Sequence, residues 1–340
     1  MTAPPISFSR AQILAFRRWV GALDQRLPSG EASLRQAAWA GLQDSVPRSA
    51  LLSIHARVEG TASDSWEHPS LVQVWGPRFC VFVVARADLA ALTLGRLPTA
   101  ARGRRRALEL AGRLDALLAG RRMLHGEAEE ALGLPPNMLR YAAATGTVLI
   151  RWDGARQPTL WTTAAPEVEA AAAREDLARR YLHVYGPATA DAFARWADVG
   201  RAEAATTFRT LAPDLLAVGT PIGDGWVLAS DEQALLAPPR PPAAARLLPS
   251  GDPYYLLWGP DRQLLVPDEA HRQALWTSRV WPGAVLVQGE VAGTWRRNQA
   301  AVEIAPWRRL STAERDAVAR EATSLPLPGG LGPAAVHWAD

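Results

Sequence analysis

Three neighbouring side chains in the stretch GLQDSVPRSALLSIHARVEG, residues 41–60, could hold and activate a water. Gln43 offers an amide carbonyl, Asp44 a carboxylate and Ser45 a hydroxyl, just before Pro47 and an apolar run. A glutamine carbonyl can orient a water by accepting its hydrogen bond. A carboxylate can also take its proton and offset positive charge that develops on a substrate. The same residues have a plainer use. Asp44 or Ser45 can cap the following helix, with Ser45 as N-cap if the helix starts at Val46 and Pro47 lies in its first turn. Spacing alone favours the cap.

Other site chemistries find little support. The six histidines (His55, His68, His125, His183, His271, His337) are scattered without a His-x-x-x-His pair, and Cys80 is the one cysteine, so no metal site and no cofactor are expected. All 37 basic residues are arginine. Without lysine there is no phosphate-loop lysine and no lysine Schiff base. Neither a Gly-x-Ser-x-Gly elbow nor a Gly-x-Gly-x-x-Gly loop occurs, and PGGLGP lies at the tail, after a helix. A lone cysteine suits a reducing cytoplasm, and a location on the nucleoid is expected. No apolar run reaches the roughly 18 residues that cross a bilayer, and the N-terminus lacks a secretory signal pattern.

The elements that must position Gln43 follow one repeated grammar. With 340 residues, 48% of them hydrophobic, the chain can bury the cores of two or three compact units. The clearest copy is central. RRALELAGRLDALLAG places Leu108, Ala111, Leu114 and Leu118 at helical spacing. HGEAEEALGL gives a short helix and PPNMLRYAAATG another, before TVLIRW and PTLWTT, two strands joined at DGARQ. Three helices and a hairpin make a winged helix. AREDLARRYLHVYG, PATADAFARWADV, GRAEAATTFRTLA and DLLAVGTPIGDGWVLAS repeat it, and the N-terminal segment is a looser copy. The fold class expected is mainly α with β-hairpin wings (α+β). Winged helices occupy 8–98, 99–165 and 166–236. A proline-rich linker at 237–249 leads to a small mixed α/β unit at 250–325, and a frayed tail fills 326–340. In the C-terminal unit AVLVQGEVAGTWRRNQAAVEIAPW reads as three short strands, and Ser311 with Glu314 fits a capping box for a final helix. Trp19, Trp39 and Trp196 sit at core spacing.

The net charge of +3 does not by itself mark a nucleic-acid binder. Tandem winged helices nevertheless make duplex DNA the leading partner. Arg102, Arg104, Arg105 and Arg106 could neutralise phosphates, as could Arg48 and Arg57 beside the Gln43 motif. Arg296 and Arg297 flank an expected hairpin tip at Asn298 and Gln299, whose planar amides could enter a groove. For both arginine clusters an exposed linker or loop is the competing reading.

The Gln43 motif, together with RRYLHVYGPATADAFARWADV, RLLPSGDPYYLLWGPDR and VAGTWRRNQAAVEI, resembles the AlkZ/YcaQ-type winged-helix DNA glycosylases from about residue 8 to 325. The resemblance implies a concave DNA-binding scaffold that removes alkylated purines, N7-alkylguanine among them and crosslinked bases in some members. The family motif is Gly-Leu-Gln-x-Gln or Gly-Leu-Gln-x-Asp. Its first glutamine maps to Gln43 and its second catalytic position to Ser45, a shorter side chain, while Asp44 fills a slot that is usually apolar. The expected protein is a monomeric, monofunctional DNA glycosylase acting on alkylated duplex DNA, without a membrane partner. A catalytically silent DNA binder (a regulator or lesion sensor) is the alternative, and a protein-contact scaffold the third reading.

Overall fold

A computed structural model describes residues 6–154, 157–298, 301–327 and 334–339, the side chain of Asn298 excepted. The expected hairpin tip at Gln299, part of the DGARQ turn and part of the tail lie outside the described residues.

The first unit comprises β1 (Ile6–Ser7), α1 (Arg10–Val20), α2 (Glu31–Ala37), β2 (Leu42–Gln43), α3 (Ser49–Arg57), β3 (Leu71–Trp75) and β4 (Val81–Ala85). Ser9 and Gln12 form a capping box that starts α1. All nine residues of α3 are buried, as expected of a helix with apolar residues around most of its circumference. Its first residue is Ser49, not Val46, and its N-cap is Arg48 at φ 72°. Ser45 is therefore not the N-cap. Pro47 lies in a turn ahead of the helix, and a side chain further upstream serves the helix start, as described below.

Next come α4 (Leu89–Leu92), α5 (Ala101–Leu118), β5 (Met123–Leu124), α6 (His125–Ala131), β6 (Val148–Arg151) and β7 (Thr159–Thr162). The helix expected at PPNMLRYAAATG is a 3₁₀ segment, Met138–Thr145. Asn137 enters it at φ 68°, and the Glu129 carboxylate accepts the N–H groups of Asn137 and Leu139 at 2.9 and 3.1 Å. On α5 the buried stripe is Ala107, Leu110, Ala111, Leu114 and Leu118. Leu108, expected on that face, is 50% exposed, because the contact surface is rotated towards the 3₁₀ segment.

The third unit holds α7 (Ala170–Tyr185), α8 (Ala190–Ala197), α9 (Arg201–Thr210), β8 (Leu215–Gly219), β9 (Gly225–Leu228) and α10 (Glu232–Leu236). The last comprises β10 (Ala245–Leu248), α11 (Pro260–Leu265), α12 (Glu269–Leu275), β11 (Gly283–Val287), β12 (Glu290–Asn298), β13 (Ala301–Pro306), α13 (Thr312–Thr323) and β14 (Ala335–Trp338). Its three expected strands are β11, β12 and β13, and the Ser311–Glu314 capping box opens α13.

Strand pairing reaches across the sequence units. The hairpins of the first two merge into a six-stranded sheet ordered β2-β4-β3-β6-β7-β5, joined where Gln73 faces Ile150. β1 leaves its own unit to pair in parallel with β8. Two expectations change in the five-stranded sheet β10-β11-β12-β13-β14. Residues 245–248 of the expected linker form β10, paired with β11 from Ala245↔Val287 to Leu248↔Ala284. Ala335–Trp338 of the expected frayed tail pair in parallel with β13. Both segments carry apolar residues that an open sheet edge can bury. One core cluster runs from Leu14 through Val74, Phe82, Tyr181, Trp196 and Tyr255 to Leu286, so all four segments pack on shared apolar contacts. The result is a mixed α/β fold.

Candidate active site

Gln43 ends β2, an edge strand, opposite Phe82 of β4. Gly41 precedes it at φ 77°, and a Cβ there would stand 3.1 Å from the Phe82 ring. A side chain at this bend would be strained and crowded, which explains the glycine that opens the motif. The Gln43 side chain is half-buried, and its Oε1 is buried without a hydrogen-bond partner among the described residues. Across from it lies Gly251, at φ 77°, where a Cβ would come within 3.2 Å of the Gln43 amide carbon. The turn after β10 therefore forms one wall beside Gln43. A buried carbonyl oxygen without a donor is rare in folded proteins. A carbonyl oxygen of this kind can accept a hydrogen bond from a water or from an N–H or O–H group.

Asp44 is fully buried. Its Oδ1 accepts the Ala50 N–H at 3.0 Å, reaching over a turn to the start of α3, and its Oδ2 accepts Gln73 Nε2 at 2.9 Å. Arg48 Nη1 lies 3.5 Å from the same Oδ2. Burial pushes the carboxyl up to about 6, against the lowering effect of the Ala50 N–H, Arg48 and Gln73. The capping reading of Asp44 is thus realised from six residues upstream. Asp44 has no exposed surface and both its oxygens are engaged by the fold, so in this structure it supports the end of β2 and the start of α3. Ser45, next in sequence, is exposed.

Two residues that the sequence reading missed complete the support. Gln73, buried in β3, also accepts the Trp152 N–H at 2.7 Å, tying the first hairpin to the second beneath Asp44. Its signal was a single polar residue inside LVQVW. Asp252 receives Ser53 Oγ and both terminal nitrogens of Arg57, each at 2.7 Å. This pair anchors the 251–254 turn to α3. No local pattern announces it, since the partners are 195 residues apart.

The expected DNA-contact arginines divide. Arg57 is only 3% exposed and its charge is matched by Asp252, so it does not belong to that set. Arg48 is half-engaged: its guanidinium lies 3.7 Å over the Trp66 ring, which Arg151 covers at 4.1 Å. Burial, with Arg151 nearby, lowers the Arg48 pKa, and the Asp44 charge opposes this. Arg102, Arg104, Arg105 and Arg106 are exposed at the start of α5, with Arg106 4.0 Å over Tyr141. Arg296 and Arg297 are exposed on β12, and Asn298 ends that strand. Leu52 of α3 packs in one cluster with Leu247 of β10 and Trp295 of β12, so the helix behind Gln43 rests on the sheet that carries Arg296 and Arg297. A cavity of about 720 Å³ lies elsewhere, without Gln43, Asp44 or Ser45 in its lining. Among the described residues no group of three or more His, Cys, Asp or Glu side chains could hold a metal ion. No described helix is long and apolar enough to cross a membrane.

An amide acceptor at a sheet edge, braced by a buried carboxylate, is what the chain presents, and comparison identifies the class as DNA glycosylase. Residues 37–326 match the family described as AlkZ-like (DNA glycosylase AlkZ-like), and the chain belongs to that family. The fold is similar to a solved structure, the Streptomyces sahachiroi DNA glycosylase AlkZ. The TM-score is 0.79 at 20% identity, over 98% of this chain and 100% of the other. Comparison with the curated proteins gives no match.

Proposed function

We propose that the protein is a monofunctional glycosylase that hydrolyses the N-glycosidic bond of alkylated purines, of the N7-alkylguanine type, in duplex DNA. The observation that carries this reading is the buried, unpartnered Oε1 of Gln43 in a chain of a DNA glycosylase family. An N7-alkylated guanine is cationic. When its C1′–N9 bond breaks, the base keeps the bonding electrons and leaves neutral, so the protein need supply little acid. The remaining work is to place a water against C1′ as positive charge grows on the sugar. In this reading Gln43 Oε1 accepts a hydrogen bond from that water, whose oxygen bonds to C1′ and whose proton passes to solvent. Ser45, exposed two residues on, can hold a second water. Asp44 holds the motif in place and sets a negative charge behind it. Arg296 and Arg297 on β12, and Arg102, Arg104, Arg105 and Arg106 on α5, are assigned to backbone phosphates. The working unit is a monomer on DNA.

Incubating the protein with duplex containing N7-methylguanine and measuring free base tests the assignment. Release by the wild type and its loss in Gln43→Ala support it. Release that is unaffected by Gln43→Ala moves the site elsewhere. One observation favours a second reading: Ser45 replaces the longer side chain of the family motif, and Asp44 beside it is buried. A wild type that binds duplex without releasing any base is then a catalytically silent lesion sensor or regulator.

A further inference from the structure

Val280 is 56% exposed, more than any other large apolar residue among those described. It lies in the short loop 277–281 between α12 and β11. A lone exposed valine is ordinary, but the setting of this one is not. Thr277 Oγ1 donates to the Val280 carbonyl at 3.1 Å, and both terminal nitrogens of Arg296 lie 3.5 Å from the same oxygen. Next along the chain, the Trp281 ring packs 6.2 Å from that of buried Tyr255 and 5.3 Å from the Arg262 guanidinium. These ties hold the backbone of the loop and leave Val280 outside.

The loop belongs to the rim beside Gln43. The Tyr255 hydroxyl lies 2.6 Å from the Pro249 carbonyl and 2.8 Å from that of Pro282, joining the end of the loop to the turn that carries Gly251. Gly251 is the wall next to Gln43. On its other side the loop runs into Gly283, which pairs with Trp295 just before Arg296 and Arg297. Charge then selects the partner. Arg279 precedes Val280 and Arg296 reaches its carbonyl, and both arginines are exposed. Neither 277–282 nor 293–298 contains an acidic residue. Glu303 stands opposite Arg296 in the β12–β13 pair, yet the Arg296 guanidinium turns to the loop. An apolar tip with cations around it suits an anionic polymer with an apolar interior, which is duplex DNA. The minor groove, roughly 6 Å wide, admits one such side chain but not a helix. We propose that the loop enters the minor groove at the lesion, where Val280 pushes between adjacent bases and unstacks them while Arg279 and Arg296 hold flanking phosphates. The inference rests on duplex DNA being the substrate, and it adds a residue that opens the stack beside Gln43.

A duplex carrying 2′-fluoro-N7-methylguanine next to 2-aminopurine tests this. The fluorine destabilises the sugar cation and so prevents base loss, and 2-aminopurine is quenched while stacked and brightens when unstacked. Saturating wild type should raise the emission. Val280→Ala changes an exposed side chain and should fold as the wild type does. It should abolish the rise and weaken binding by about tenfold, with the salt slope unchanged because no phosphate contact is lost. Val280→Leu should keep the rise. Arg279→Ala should keep it at saturation and lower the slope of log affinity against log salt by about 0.9. A wild type that binds no duplex, or saturates without a rise, overturns the inference, as does a rise retained in Val280→Ala. Base release from N7-methylguanine duplex is measured separately. A rise without release leaves the inference standing and defeats the glycosylase reading; release without a rise does the opposite.

Discussion

Gln43 and Asp44 are adjacent in sequence and opposite in circumstance. Gln43 keeps an acceptor without a donor, whereas both carboxylate oxygens of Asp44 are engaged inside the protein. Replacing Gln43 by alanine should reduce the rate of base release by about 10²–10³-fold, the scale of losing one positioned polar group, and leave duplex affinity unchanged. Single-turnover assays with a binding titration separate the two. For Asp44 the measurable consequence is pH-dependent stability. Its carboxyl is raised to about 6 from an ordinary value of 3.8, so between these limits the folded chain holds a proton that the unfolded chain has lost. Its contribution is full below pH 3.8 and is lost as pH rises through about 6, at most ~3 kcal/mol at roughly 1.4 kcal/mol per unit. Asp44→Asn should remove that slope from urea melts at pH 4 to 7. It also turns an amide N–H₂ towards Gln73 Nε2, lowering stability in acid by about 1–3 kcal/mol.

At the scale of elements, the stability of the site rests on how α3 is held. Arg57 and Ser53 on α3 close on Asp252 in the turn that also carries Gly251 to Gln43. Asp252→Ala leaves the Arg57 guanidinium buried without its anion. It should destabilise the fold by about 3–5 kcal/mol, read as a lower urea midpoint. Ser311→Ala, which removes an exposed cap from α13, should cost only about 1 kcal/mol. The contrast also marks what local sequence conveys. The α13 cap was legible because Ser311 and Glu314 lie three residues apart and interact only with that helix's own first turn. The start of α3 was legible only in part: Asp44 was one of two candidate caps, but the helix begins at Ser49 rather than Val46, beyond a turn that Arg48 makes at positive φ. PPNMLRYAAATG had the composition of a helix, yet it folds as a 3₁₀ segment, with its first N–H groups accepted by the Glu129 carboxylate.

For the whole molecule, charge count is a poor guide to DNA contact. Many arginines are consumed internally: Arg17, Arg18, Arg57 and Arg180 each pair with an aspartate while almost wholly buried. The exposed ones should dominate the response to salt. Arg296→Ala with Arg297→Ala should reduce the slope of log affinity against log salt by about 0.9 for each phosphate that is no longer neutralised. A stably folded Arg57→Met should leave that slope unchanged. Fluorescence anisotropy of labelled duplex over a salt series gives both numbers.

The sequence by itself determined the local features: helix periodicity, hairpins, the final capping box, the absence of lysine, and a motif and ordered resemblance that named the right family. Each depends on residues a few positions apart or on the order of short motifs, and so survives being read along a line. Tertiary structure decided which of those residues meet. It put Asp44 inside and Gln43 at an edge, joined two hairpins into one sheet, and drew residues 245–248 and 335–338 into another. It also left Trp19 and Trp39 half-buried beside a cavity, Trp19 packed against the margin of a core cluster. Burial and long-range pairing are properties of packed neighbours, and those neighbours can lie far along the chain, 195 residues for Arg57 and Asp252.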